Sequence, residues 1–93
     1  MSVGFEVEEF RDHYYLVRGE VDGDAVETRF LADPAALDAL GVGSSPAADV
    51  VRATVAFLLQ RQRLDELPPQ VDLEDVAAAY PDFEDALRAA LDA

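Results

Sequence analysis

The sequence contains one histidine, His13, and this residue is the first place to look for chemistry. It is flanked by Asp12, Tyr14 and Tyr15, and such neighbours can orient or titrate an imidazole whose pKa lies near neutrality. The chain has no second histidine and no cysteine to share a metal ion, and no serine is placed beside His13 to act as a nucleophile. We therefore interpret His13 as a solvated turn residue. A ligand-binding or weak hydrolase domain around it is the least favoured of our hypotheses.

Two short motifs also invite a binding role. Asp22-Gly23-Asp24 suggests calcium, but the further oxygen ligands and closing glutamate of an EF-hand loop are missing. The segment GVGSS, residues 41–45, precedes a predicted helix, where backbone N–H groups can bind an anion. It follows a predicted helix instead of a strand, and the chain has no lysine to serve as a P-loop residue. We predict no cofactor, no metal site and no enzymatic activity.

The densest acidic patch comprises Glu6, Glu8, Glu9 and Asp12. A paired-carboxylate acid/base site would need one of them desolvated, which raises its pKa. The neighbouring sequence does not predict such an enclosure, so a solvated face is the better interpretation. We retain these four residues as candidate contacts for a protein partner.

Charge is the most distinctive compositional feature. The chain has 20 Asp and Glu against seven Arg, with a net charge of −13. This argues against direct binding of nucleic acid or anionic membranes, which depends on clustered Lys and Arg. Isoleucine, lysine and asparagine are absent, and their shared A/T-rich codons indicate a GC-rich microbial source. If that microbe keeps high internal salt, the acidic surface is a general adaptation.

Length and hydropathy predict a single domain spanning residues 1–93. No apolar run approaches the roughly 20 residues of a membrane span. The acidic N-terminus, MSVGFEVEEF, is unlike a secretory signal. We expect a cytoplasmic protein without a membrane partner.

The first third of the chain has the period of β-strands. Alternation predicts a strand from Val3 to Phe10, followed by a polar break, and then strands Tyr14–Val21 and Ala25–Leu31. Asp22-Gly23 between the last two is a strong signal for a type I′ hairpin.

That turn sets the pairing of the second and third strands. Arg18 should face Glu27, and Tyr15 should face Phe30. One side of the meander is then apolar, and it carries Tyr15, Val17, Val21, Val26, Thr28 and Phe30. The opposite side holds Arg18, Glu20, Glu27 and Arg29.

The remainder predicts about four helices. Asp33-Pro34 should open a short helix that turns Leu37 and Leu40 inward and ends at Gly41. The longest helix, about 46–63, is apolar on most sides, which predicts a central position and burial of Phe57 and Leu58. Its predicted N-cap is Ser45 with Pro46 at the first helical position, and Arg61 and Arg63 should lie in its last turn.

Two shorter helices should complete the chain. Asp72 and Asp75 resemble a capping box before a helix Leu73–Tyr80. After Pro81, an amphipathic helix should begin at Phe83. This last segment can close the core, which we prefer in so small a chain, or dock in a partner's groove, so Tyr80 and Phe83 join the candidate contacts.

Strands segregated from helices predict an α+β fold. The central helix should cover the apolar face of the sheet, with the last two helices on its far side. We favour a small acidic, non-catalytic protein-interaction module, either a homodimer or an adaptor. The alternative is an acidic mimic that neutralises a basic, nucleic-acid-binding protein surface, as small antitoxins do.

Overall fold

The computed structural model describes residues 4–92 and confirms an α+β fold. A sheet with strand order β1-β2-β3-β4 and four α-helices account for most of the chain. In chain order the elements are β1 Phe5–Arg11, β2 Tyr14–Val21, β3 Asp24–Leu31, α1 Pro34–Ala39, α2 Ala47–Leu59, a 3-10 turn Leu64–Glu66, β4 Gln70–Asp72, α3 Leu73–Ala79 and α4 Phe83–Asp92.

The β2–β3 hairpin has the predicted turn and register. Asp22 and Gly23 both have positive φ, 54° and 85°, as a type I′ turn requires. Arg18 is paired with Glu27, and Tyr15 is paired with Phe30. The turn therefore determines which side chains of both strands face the core.

β1 pairs antiparallel with β2 and is the outermost strand on that side. It begins at Phe5 and extends to Arg11, one residue beyond the predicted end, while Val3 lies outside the described residues. A bulge between Glu9 and Arg11 adds an unpaired residue, Phe10. The polar break is a tight turn in which His13 has a φ of 68°, and the His13 carbonyl accepts a hydrogen bond from the Ala32 N–H at 2.8 Å.

The core lies between the apolar side of the sheet and α2, as predicted. Val17 and Phe30 from the sheet and Val51 and Val55 from α2 are all fully buried. Phe57 and Leu58 are also buried, at 6% and 2% exposure, which confirms the expectation for them. Each such side chain contributes about 1.5–3 kcal/mol relative to exposure.

The N-terminus of α2 differs from the prediction by one residue. Pro46, not Ser45, occupies the N-cap position, and no side chain caps the helix. The Pro46 carbonyl accepts the N–H groups of Asp49 and Val50. The missing N–H of proline makes it as suitable at this boundary as at the first helical position.

The C-terminus of α2 comes earlier than predicted, at Leu59 instead of about residue 63. The chain turns there, and the following 3-10 turn inserts Leu64 into the core at 1% exposure. A Cβ at Gly19 would lie 2.6 Å from the Leu64 side chain, so glycine leaves the space that Leu64 fills. Helix α2 therefore ends because Leu64 packs into the core, several residues before the chain reaches Pro68 and Pro69.

The short helix α1 matches the sequence prediction. Asp33 is its N-cap, and its carboxylate accepts the Ala35 N–H at 2.9 Å. Leu37 and Leu40 are buried, and Gly41, just past the end, has a φ of 76°.

The sequence pattern does not predict strand β4. This strand has only three residues, follows two prolines and pairs in parallel with β3, so it shows no strand period of its own. Thr28 Oγ1 donates to the Pro68 carbonyl at 2.6 Å, which helps to hold this segment beside β3. The predicted capping box is wrong, because Asp72 occupies the N-cap position of α3 without a side-chain hydrogen bond.

The last two helices occupy different places. α4 packs along α2, whereas α3 leads directly from β4 and contacts α1 and α4. The expectation that both helices pack on α2 is therefore met along the length of α2 by α4, whereas α3 lies beside β4 and α1. α3 is held near the sheet edge because no loop separates it from β4.

Candidate functional site

The side of the sheet that faces away from α2 is open to solvent, and we call it the outer face. In β2 and β3 it carries alternate residues whose charged members, among them Arg18, Glu27 and Arg29, are exposed. Its apolar members are half-buried: Tyr14, Leu16 and Leu31. The bulge in β1 places Phe10 beside this surface, where its ring lies 6.2 Å from that of Tyr14.

Phe10 is 44% exposed and is the one exposed large hydrophobic side chain among residues 4–92. The Arg11 guanidinium lies 5.9 Å from its ring centroid, within the range of a cation–π contact. Arginine and aromatic side chains are enriched at interface hot spots. The alternation of the strands predicts Tyr14 and Leu16 on this face, but a bulge has no sequence signal that would have placed Phe10.

The arginines of the outer face differ from those elsewhere. Arg18 bridges the carboxylates of Glu8 and Glu27 across three strands. Arg11 and Arg29, in contrast, form no ion pair with a described residue, whereas every other arginine does. In a chain with a charge of −13, this surface therefore differs from the rest of the described protein in having two arginines without an ion pair.

The outer face also has a smaller net negative charge than the core-facing side of the same strands. Its charged side chains on β1, β2 and β3 are four carboxylates and three guanidinium groups: Glu6, Glu8, Glu20, Glu27, Arg11, Arg18 and Arg29. The near balance follows from cross-strand pairing, since opposite charges in adjacent strands stabilise a sheet.

The acidic cluster predicted from sequence does not converge. Glu6 and Glu8 lie on the outer face, because they pair with Arg18 and Leu16, whereas Glu9 pairs with Tyr15 on the opposite side. Asp12 belongs to the turn after β1. The period of two in a strand separates neighbours that are adjacent in sequence.

Glu9, on the core-facing side of the sheet, affects the pKa of the neighbouring Tyr15. Burial raises the pKa of the Tyr15 phenol, and the nearby negative charge of Glu9 raises it further. Both effects favour the neutral phenol. Tyr15 is 7% exposed, so we assign it to the core.

His13 stands at the tip of the β1–β2 turn with an exposed side chain. That side chain makes no hydrogen bond or ion pair with any residue in the range 4–92. Over the same range, no group of three or more His, Asp or Glu side chains is arranged to hold a metal ion. Nor does any described helix combine the length and apolar character needed to cross a bilayer.

Tyr80 and Phe83, both candidate contacts, differ in burial. Phe83 has no exposed surface and lies 5.1 Å from the ring of Phe57. Its burial assigns it to the core and replaces the expectation that it contacts a partner directly. Tyr80 is half-exposed, and its ring lies edge-on to Phe57 at 5.5 Å, so it remains available at the surface.

Comparison of the chain with protein-family models, with curated proteins and with solved structures finds no match in any of the three. The proposals below therefore depend on the geometry and charge of the described residues.

Proposed function

We propose that this chain is a small non-catalytic interaction module that associates with a second copy of itself through the outer face. The observation that carries this proposal is the pair Arg11 and Arg29, which form no ion pair with any residue in the range 4–92 although the protein has 20 Asp and Glu residues. A second copy supplies such carboxylates from its own outer face, at Glu6 and Glu20, whereas Glu8 is already paired with Arg18. The exposed ring of Phe10 supplies the apolar contact.

Net charge supports the choice of this face. Two chains of −13 repel each other strongly at low ionic strength. The outer face is where the charges nearly cancel, so it is the surface on which two copies approach at the lowest electrostatic cost.

The size of the face sets the strength that we expect. Strands β1, β2 and β3 are seven or eight residues long, so at about 4.8 Å between strands and about 3.3 Å per residue they give a footprint of roughly 14 by 25 Å. This is less than half of the about 800 Å² per partner that a standard specific interface buries. We expect a weak, concentration-dependent dimer.

The acidic-mimic alternative receives less support from the charge distribution. Mimicry of a nucleic acid calls for carboxylates aligned on one face. Here they occur on strands, turns and helices alike, for example at Glu8, Asp24, Asp49 and Asp85. This scatter is what adaptation to salt would produce, so we do not pursue the mimic further.

Sedimentation of the purified chain over a wide concentration range tests the proposal. It should be run in about 0.5 M NaCl, where the Debye length is only a few ångströms and the repulsion between copies is screened. We expect a reversible monomer–dimer equilibrium, and a chain that stays monomeric up to millimolar concentration would contradict the proposal.

A matched pair of variants locates the interface. Arg29→Glu changes the net charge by the same amount as Arg52→Glu, which lies on the exposed side of α2 in an ion pair with Asp49. We expect the first variant to abolish dimerisation and the second to preserve it. Equal effects would mean that total charge, and not the outer face, controls association.

A further inference from the structure

A second surface, separate from the outer face, lies where the end of α2, the loop after the 3-10 turn, β4 and α3 meet. Its cavity has a volume of about 210 Å³, and its walls include Leu58, Leu67, Val71, Val76 and Tyr80. This is smaller than the roughly 300–1,000 Å³ of a typical small-molecule site. It suits one or two apolar side chains of a peptide. We call this cavity and its rim the β4 groove.

The backbone of β4 borders this groove as a sheet edge. The Arg29 N–H donates to the Pro69 carbonyl at 2.9 Å, and the parallel register pairs Phe30 with Val71. In a parallel ladder, alternate residues direct their polar groups toward the neighbouring strand. Val71 therefore faces β3, and the N–H groups of Gln70 and Asp72 face away from it. Such an unpaired edge is a template for an added strand.

The rim of the groove carries two carboxylates. Oδ1 of Asp72 is buried and has no hydrogen-bond partner among the described residues, although the carboxylate sits at the N-cap of α3. A buried carboxylate oxygen without a donor is unfavourable. Asp75 adds a second, exposed carboxylate to the same rim. A guanidinium or ammonium group at the rim would be attracted by both carboxylates.

We propose that the β4 groove binds an extended basic and apolar segment of another protein. The segment adds as a strand beside β4. Its inward side chains enter the cavity, and its alternate Lys or Arg side chains meet Asp72 and Asp75. Main-chain hydrogen bonds to an edge strand give affinity in this mode, and the pocket for alternate side chains gives specificity. Asp72 pairs with Leu31 of the outer face and therefore lies where the two surfaces meet. The cavity and its α3 wall lie outside the outer face, so either proposal can fail without the other.

A blocked pentapeptide, Lys-Leu-Lys-Leu-Lys, is a suitable probe because its leucines and lysines project to opposite sides of a strand. We expect titration of the ¹⁵N-labelled chain to shift the amide signals of Gln70, Asp72 and Ala79 in a saturable way. A peptide of the same composition ordered Lys-Lys-Lys-Leu-Leu is the control for general attraction to an acidic protein. It should bind at least tenfold more weakly.

Further peptides test strand addition and charge separately. Alternate N–H groups of a strand face the same side, so the leucine amides are N-methylated in one peptide and the lysine amides in another. One of the two peptides should bind at least tenfold more weakly, the leucine-methylated one if the segment is parallel to β4 and the lysine-methylated one if it is antiparallel. Replacement of the lysines by glutamates should abolish binding, because the rim is acidic.

Matched substitutions on α3 test the location. Ala79 lies in the groove wall and Ala78 does not, and both are exposed. Ala79→Arg should therefore block the peptide, whereas Ala78→Arg, with the same change of charge on the same helix, should bind as the parent does. Likewise, Asp75→Arg should weaken binding more than Glu74→Arg does.

The proposal is overturned if millimolar peptide gives no saturable shifts, if the two lysine peptides bind with equal affinity, or if Ala79→Arg and Ala78→Arg have equal effects. Shifts confined to β1 and the outer face would also overturn it, because the peptide would then be using a different surface. A dimer that forms normally in Ala79→Arg would show that the two surfaces are independent.

Discussion

Arg61 lies over the ring of Phe57, with its guanidinium carbon 3.8 Å from the ring centroid. Its Nη1 also donates to the Phe57 carbonyl at 3.1 Å, and its Nη2 donates to Asp82 at 2.8 Å. One side chain thus caps a carbonyl at the end of α2, covers an aromatic ring and joins α2 to the start of α4. Arg61 was predicted in the last turn of the helix, and although that turn ends earlier, the cation still serves the helix C-terminus.

Arg61→Met should destabilise the fold by about 1 kcal/mol, since it removes the cation–π contact and the carbonyl cap while keeping some of the packing. Urea denaturation measures the change in the free energy of unfolding. Arg52→Met is the matched control, because Arg52 has only an exposed pair with Asp49, worth less than about 0.5 kcal/mol. Equal losses for the two would mean that the Phe57 contact contributes nothing.

Phe57→Ala should cost about 3–5 kcal/mol, because it removes a buried ring packed against Phe83 and Tyr80. Thermal and urea denaturation should agree. Gln60→Ala, at an exposed position just past the same helix, should change stability by less than about 0.5 kcal/mol. A loss below about 1 kcal/mol for Phe57→Ala would contradict the central position of α2.

His13→Gly should be more stable than His13→Ala by about 1 kcal/mol. The φ of 68° at this position is unfavourable for a residue with a Cβ and accessible to glycine. We expect His13→Gln to fold like the parent, since the side chain is exposed. Equal stability of the glycine and alanine variants would mean that the turn adopts another conformation in solution.

The melting temperature should rise with added NaCl. Screening relieves repulsion among the 20 carboxylates as the Debye length falls from about 30 Å at 0.01 M to about 3 Å at 1 M. A variant with Glu6, Glu8 and Glu9 changed to Gln should gain less. It also controls for the general strengthening of burial by excluded salts. An equal gain in the parent and the variant would show that these three residues are not the source.

Alkaline pH should destabilise the fold partly through Tyr15. Its pKa is raised above its ordinary value near 10 by burial and by Glu9. The folded state therefore keeps the phenol neutral while the unfolded state ionises, and stability falls as the pH rises above about 10. Below that pH the effect is absent. Urea midpoints of the parent and of Tyr15→Phe between about pH 8 and 11 test this, since the variant should lose less stability.

Local signals were sufficient for the first hairpin and the first helix. Asp22-Gly23 determines a two-residue turn, and that turn alone sets the register from Tyr15–Phe30 to Arg18–Glu27. Asp33-Pro34 and Gly41 bound α1 because caps act on backbone groups within one turn. The apolar period of α2 likewise determined that it lies in the core.

Tertiary structure decided the end of α2, the existence of β4 and the composition of both proposed surfaces. Leu64 turns inward because Gly19, 45 residues earlier in the chain, leaves space for it, and no local pattern encodes that fit. β4 forms only because β3 is present to pair with Gln70–Asp72, and a three-residue strand has no period of its own. Phe10 joins the outer face through a bulge, and Tyr80 joins the β4 groove while Phe83 enters the core. Residue types and spacing determine how a segment pairs with its neighbours, but whether an apolar side chain is buried or left at a surface depends on what the rest of the chain packs against it.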